Sequence, residues 1–260
     1  MKSFRRHCSR ARFGAFAALV LSFALVAGCG DSSGSGGESR ASAGGETSAS
    51  TASASEARAA AELEKLALAE SDLTGFAVRK LKAVEAHTQH DVRTAEEDCA
   101  PLSQAEYGVA MRDPMATAQR RVTSEFDVDV IDTADSAEEL EAAFLTTTTA
   151  VTLASYDSPD HARSVLKALR SALATCEGGF SSFGVDKVST DTAPKAGDEA
   201  VAFTVTPGQD DAQVGPTKTV VFRHGSILAQ FGSEYPGATG PTDDFDFPTA
   251  LVEAQAAKLG

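Results

Sequence analysis

The stretch from Ser158 to Gly179 constrains the fold of this 260-residue chain more than any other. Ser158 suits a helix N-cap, Pro159 the first turn, and Asp160 faces the positive end of the helix dipole. Behind them Ala162, Val165, Leu166, Leu169, Ala172, Leu173 and Cys176 recur on one stripe, and Gly178-Gly179 stops the run. A helix with so continuous an apolar stripe must lie on a broad apolar surface, and the flanking segments read as strands able to supply one. Cys176 falls on the buried side of the stripe, better placed to staple the helix end than to act as an exposed thiol.

Around this helix the chain reads as follows. Ser53-Ala54-Ser55-Glu56 has capping-box spacing, and Ala59, Leu63, Leu66 and Ala67 predict a helix from about 55 to 70. A short strand is expected after Phe76, and Pro101 opens a brief helix to about Tyr107. Alternation from Arg121 to Ile131 predicts a strand, Ser136-Ala137-Glu138-Glu139 a second capped helix ending near Phe144, and Thr147 to Tyr156 another strand. After the long helix, Phe183 to Val188 leads into a meander. Val201, Phe203 and Val205 alternate, Gly208 to Gly215 forms a loop, and Val220 and Phe222 alternate next. His224-Gly225 stands at the two-residue hairpin interval before Ser226 to Phe231, with Gly225 able to take positive φ. A last helix is expected near Pro248–Leu259. The fold class is therefore α+β: an antiparallel sheet of about five to six strands covered by helices on one face, forming one domain over residues 56–260.

The N-terminus has a different logic. Lys2, Arg5, Arg6, Arg10 and Arg12 precede an apolar run from Phe13 to Ala27, short for a spanning helix, which needs roughly 20 residues. Val26-Ala27-Gly28-Cys29 closes it and resembles the lipobox of bacterial lipoproteins. That resemblance implies that residues 1–28 are a signal peptide and that Cys29 is acylated and holds the chain on the extracytoplasmic face of the cell membrane. Two or three acyl chains, at about 0.8 kcal/mol per buried CH₂, make a durable anchor. Residues 29–55 are a Ser/Gly/Ala linker with too little apolar surface to fold, with a span of about 28 Å as a coil.

The leader carries five of the 23 basic residues and none of the 37 acidic ones, so cleavage moves the formal charge from −14 to −19. Such a surface disfavours nucleic acid as a partner. With no Trp and three Tyr, the stacking platforms usual in sugar sites are scarce. Of four cysteines, Cys8 leaves with the leader and Cys29 takes the lipid. Cys99 and Cys176 remain, and in an oxidising compartment they are expected to pair as a disulfide.

Several motifs stand in an order that is similar to one family. They are Asp72-Leu73-Thr74-Gly75-Phe76, Cys99-Ala100-Pro101-Leu102, Ala154-Ser155-Tyr156, Ala174 to Phe180, Gly197 to Phe203 and Val220 to Phe231. Over residues 60–259 the chain resembles an actinobacterial lipoprotein carrying a PknH-like extracellular sensor domain. The resemblance implies an antiparallel sheet with helices lining a ligand cleft. It departs in having one possible disulfide where the kinase sensor has two.

Catalytic patterns are missing: no Gly-x-Ser-x-Gly elbow, no phosphate-binding Gly-rich loop and no His-Glu-x-x-His. His87 and His90 with Asp91 lack a further ligand and read as a solvated loop, as do Asp243, Asp244 and Asp246. His224 beside Ser226 is explained by the hairpin. No catalytic residue, metal or cofactor is expected, and the chain is read as a non-enzymatic, ligand-binding or sensor-type lipoprotein. Tyr156, Phe180 and Phe183 are the candidates for a cleft taking a small apolar or amphipathic ligand, with core packing the competing role. The alternative is a structural or protein-interaction lipoprotein of the cell envelope with a filled core.

Overall fold

The long helix finds its surface in an antiparallel sheet. The computed structural model describes residues 59–82, 84–92, 94–126, 128–144, 146–181, 185–208, 215–236 and 245–260, all within one compact unit. The leader, Cys29, the linker, the Ser53–Glu56 box, Phe183, Asp243 and Asp244 lie outside the described residues. No described helix is long and apolar enough to cross a membrane.

Seven strands are described: β1 (Phe76–Lys80), β2 (Ala116–Ser124), β3 (Thr148–Ser155), β4 (Val185–Asp191), β5 (Glu199–Pro207), β6 (Thr217–His224) and β7 (Ile227–Glu234). They pair in the order β1-β2-β3-β7-β6-β5-β4, and every pairing is antiparallel. The α+β class with an antiparallel sheet holds. The strand count exceeds the expected five to six because the lead-in before β5 pairs along its length as an edge strand.

Helices cover both faces, not one. The helix α1 occupies 59–66, followed by α2 (Ala100–Glu106), α3 (Val128–Thr133), α4 (Ala137–Ala143), α5 (Pro159–Thr175) and α6 (Thr249–Leu259). On one face α2 and α5 pack over Ala154, Val201, Phe203, Val205, Val221 and Leu228. On the other, Leu63 and Leu68 with Leu251 and Val252 of α6 cover Val122, Leu153, Val220, Phe222 and Phe231. The reason lies in the strands: β6 reads Val220-Val221-Phe222, apolar on successive residues, so both sides need burial. Arg120, 9% exposed, ties α1 to the sheet. Its guanidinium donates to the Leu68 carbonyl at 3.0 Å and to Glu64 Oε2 at 2.9 Å.

Local signals set α5 as expected: Ser158 Oγ accepts from the His161 N–H at 3.1 Å. At α4, Ser136 Oγ accepts from the Glu139 N–H at 3.1 Å, and the Glu139 carboxylate reaches back to the Asp135 N–H. Three boundaries differ from the sequence reading, the first being that of α1, which stops at 66 rather than about 70. The strand expected over Arg121–Ile131 starts earlier and ends at Ser124, paired with Phe76, the first residue of β1. Beyond it Val128–Thr133 is helical, since no neighbouring strand continues the ladder. The hairpin turn is Gly225-Ser226, with His224 opposite Ile227; Gly225 takes the positive φ of 58°, and His224 stays in the strand.

Cys99 and Cys176 form the expected disulfide, Cα atoms 6.0 Å apart. It joins the start of α2 to the end of α5, both cysteines being buried in the core.

Candidate functional site

Small residues in the sheet centre let α2 come down unusually far. Ala150 of β3 stands opposite Gly232 of β7. A Cβ on Gly232 would lie 2.0 Å from the Glu106 carbonyl oxygen, and one on Gly108 2.8 Å from the Ala150 Cβ. The glycine in the middle of β7 thus marks a close backbone approach, and it brings the last residue of α2 onto the sheet. The segment after α2 is then stitched in place: the Gly108 carbonyl accepts from Gln119 Nε2 at 2.9 Å and from the Thr152 hydroxyl at 2.5 Å. Tyr156 Oη donates to the Met111 carbonyl at 2.8 Å.

Replacing Gly232 with alanine is expected to cost about 1–3 kcal/mol, the usual penalty of overpacking. The methyl group has only a backbone carbonyl to push against. Gly178, with nothing near its virtual Cβ, serves as control: Gly178→Ala changes urea stability little.

Where α2 meets the sheet a cavity of about 140 Å³ opens, lined by His87, Glu106, Tyr107, Arg121, Thr148, Ala150, Thr217, Gly232 and Glu234. Strand register builds its floor. Arg121 pairs with Ala150 and Thr148 with Glu234, so these side chains project from neighbouring rows of one sheet face. His87 contributes a rim, its ring edge-on to Tyr107 at 6.0 Å.

The electrostatics are unusual for so small a space. Burial pushes the Glu106 carboxyl up to about 8; the Glu234 charge adds to this and the Thr217 hydrogen bond opposes it. Glu106 therefore holds its proton at neutral pH. Glu234 also moves upward through burial of its carboxyl, against the pull of Arg121. Although Glu106 is enclosed at its tip, the residue as a whole is half-buried, and Glu234 is exposed, so both groups remain within reach of the cavity mouth. Glu106 Oε2 and Arg121 Nε are buried and lack hydrogen-bond partners among the described residues. An acid, a charged donor and two threonines thus converge on one space with bonding capacity to spare, the pattern that marks a binding site.

The residues expected to line a cleft sit elsewhere. Tyr156 is 3% exposed and Phe180 6%; both belong to the core cluster under α5, and Tyr156 packs edge-on to His161 at 5.1 Å. Their positions are those of core packing, because the glycines after α5 fold Phe180 back to bridge Val185. Phe183 lies outside the described residues. A more open groove of about 290 Å³ runs along β5 and β6, with Ala193, Pro194, Val220 and Phe247 on its walls. It has one aromatic wall, and its buried polar atom without a partner among the described residues is a single hydroxyl, Thr219 Oγ1, against the carboxyl oxygen and guanidinium nitrogen of the α2 cavity.

The histidine pair falls in a turn. Asp91 accepts from the Thr88 N–H at 2.8 Å and from its hydroxyl at 2.7 Å, which fixes the loop. Among the described residues no group of three or more His, Cys, Asp or Glu is arranged to hold a metal ion. The sequence reading missed Glu106, Arg121 and Glu234. The signals available were Gly232 inside a strand pattern and an arginine among alternating strand residues.

A scan against protein-family models finds no match. A search of curated proteins finds no significant relative. Among solved structures, the fold is similar to the crystal structure of the extracellular domain of PknH from Mycobacterium tuberculosis. The two share 10% identity, covering 77% of this chain and 93% of that chain, with a TM-score of 0.47.

Proposed function

We propose that this chain is an extracytoplasmic, lipid-anchored binding domain of the sensor type, that it works without catalysis, and that its ligand enters the cavity beneath α2. The observation that carries the reading is the pair of buried, unpartnered polar atoms, Glu106 Oε2 and Arg121 Nε, beside one enclosed space. Leaving such groups unsatisfied costs about 1–3 kcal/mol each, and a ligand that bonds both recovers it. The export leader and Cys29 support placement on the outer face of the membrane, with residues 29–55 as tether to the domain at 56–260. The Cys99–Cys176 disulfide supports an oxidising compartment.

The cavity favours a ligand other than the apolar or amphipathic one expected from the sequence. Its volume of about 140 Å³ corresponds to roughly five water volumes, and its walls offer a protonated carboxyl, a guanidinium and hydroxyls. A small, polar molecule with both donor and acceptor groups fits these terms.

Native mass spectrometry of the full-length chain purified from its producer tests this. The expected result is a small co-purifying mass, lost on washing from a Glu106→Leu/Arg121→Leu double variant and retained by wild type. Repeated absence of any bound mass, together with no thermal stabilisation of wild type by a panel of small polar metabolites, rejects the reading.

A further inference from the structure

Residues 125–147 leave the sheet between β2 and β3 as the α3–α4 hairpin, and this hairpin keeps its apolar side outward. Six large hydrophobic residues are exposed among the described residues, and four of them are here: Phe126 (54%), Val128 (65%), Leu140 (39%) and Phe144 (50%). They are neighbours in space. Leu140 lies on α4 and Phe144 directly follows its last residue, four positions on, Phe126 packs edge-on to Phe144 at 5.6 Å, and Val128 begins α3. The two helices pack on each other, and among the described residues nothing covers the apolar side, whose phenylalanines stay half exposed; a patch of this kind marks an interaction surface.

Charge says what covers it. Residues 125–147 contain eight Asp and Glu and no Lys, Arg or His. Glu125, Asp129, Asp132, Asp135 and Glu139 are exposed, forming an acidic rim around the phenylalanines. An anionic bilayer is repelled by such a rim, and a second copy would bring the same charges face to face. We infer that the α3–α4 hairpin is a docking surface for a separate protein that presents a basic, amphipathic segment, its apolar side chains on Phe126 and Phe144 and its lysines or arginines against the acidic rim. The base of the hairpin adjoins the cavity: Thr123 pairs with Thr148, a cavity residue, and Thr147 donates to Ser124 Oγ at 2.8 Å. The inference stands on the surface alone and does not need the cavity to bind anything.

The test uses the full-length chain in detergent micelles and a synthetic amphipathic helix of about five turns, lysine on one side and leucine on the other, followed by fluorescence anisotropy and hydrogen exchange. The expected result is binding that weakens at least tenfold between low and high salt and slows exchange in 125–147. Binding should also weaken at least tenfold in a Phe126→Ala/Phe144→Ala variant whose melting temperature is unchanged. A second variant, Asp129→Asn/Glu139→Gln, should weaken it as well. Equal binding by the alanine variant, equal binding of a glutamate–leucine helix, or exchange protection outside 125–147 overturns the inference. So does protection of 125–147 by anionic vesicles alone, which would make the patch a membrane contact, or self-association of the chain abolished by the alanine variant, which would make it a dimer surface.

Discussion

Replacing both Cys99 and Cys176 with alanine is expected to lower the unfolding free energy by about 4 kcal/mol. The two are separated by 77 residues, and closing a loop of that size in the unfolded chain is worth up to about 4.5 kcal/mol in the chain-entropy model. Against a typical total of about 5–15 kcal/mol, this is a large share. The native state should also feel it. The bridge ties the start of α2 to the end of α5, and the far end of α2 carries Glu106, so freeing the helix loosens the cavity as well as the core. Urea titrations of the variant and of wild type, with and without reductant, measure the change. A loss below about 1 kcal/mol would mean that the bridge does not constrain the unfolded chain.

Stability should also fall as pH rises from about 5 to 8, and Glu106→Gln should remove most of that fall. The sign follows from proton counting. The Glu106 carboxyl titrates near 8 in the folded state, above its ordinary value of 4.5, so between these limits the native state binds the extra proton. Its contribution is complete below the unfolded value and is lost as pH climbs through the folded one, by at most 1.36 kcal/mol per pH unit. Because the cavity is open to solvent at its mouth, the accumulated effect is about 2–3 kcal/mol rather than the full integral. Glu234, also shifted upward, adds in the same direction. Carboxylates held low by their partners, such as Asp72 by its hydrogen bond from Lys258 and Asp198 by the Gly225 N–H, act in a more acid range. They therefore do not mask the effect. Unfolding midpoints at pH 5, 6.5 and 8 decide the matter. A wild-type curve parallel to that of the glutamine variant would mean that Glu106 is already ionised at neutral pH.

How far the sequence could be read depended on the range of the interactions. The α5 helix was legible because its signals are local: a serine cap, a proline in the first turn and a stripe whose period belongs to the helix itself. The β6–β7 hairpin was legible for the same reason, and its one-residue shift reflects which of two adjacent residues the ladder claims. The end of β2 was not legible. Alternation continued through Phe126 and Val128, but a strand lasts only as long as a neighbour pairs with it, and β1 begins opposite Ser124. The second layer of helices was missed because strands that are apolar on successive residues announce burial without saying what does the burying.

For the site the division is sharper. Sequence alone predicted the Cys99–Cys176 pair that the structure contains and determined that one amphipathic helix had to cover an antiparallel sheet, since side-chain periodicity acts along the chain. Only the tertiary structure decided that Glu106, Arg121 and Glu234 share a cavity and that Tyr156 and Phe180 do not. Burial raises the Glu106 carboxyl, and burial there exists only because α2 rests on Gly232, a contact between segments far apart in sequence. A charge written in a sequence has no solvent around it; the fold decides how much water it keeps.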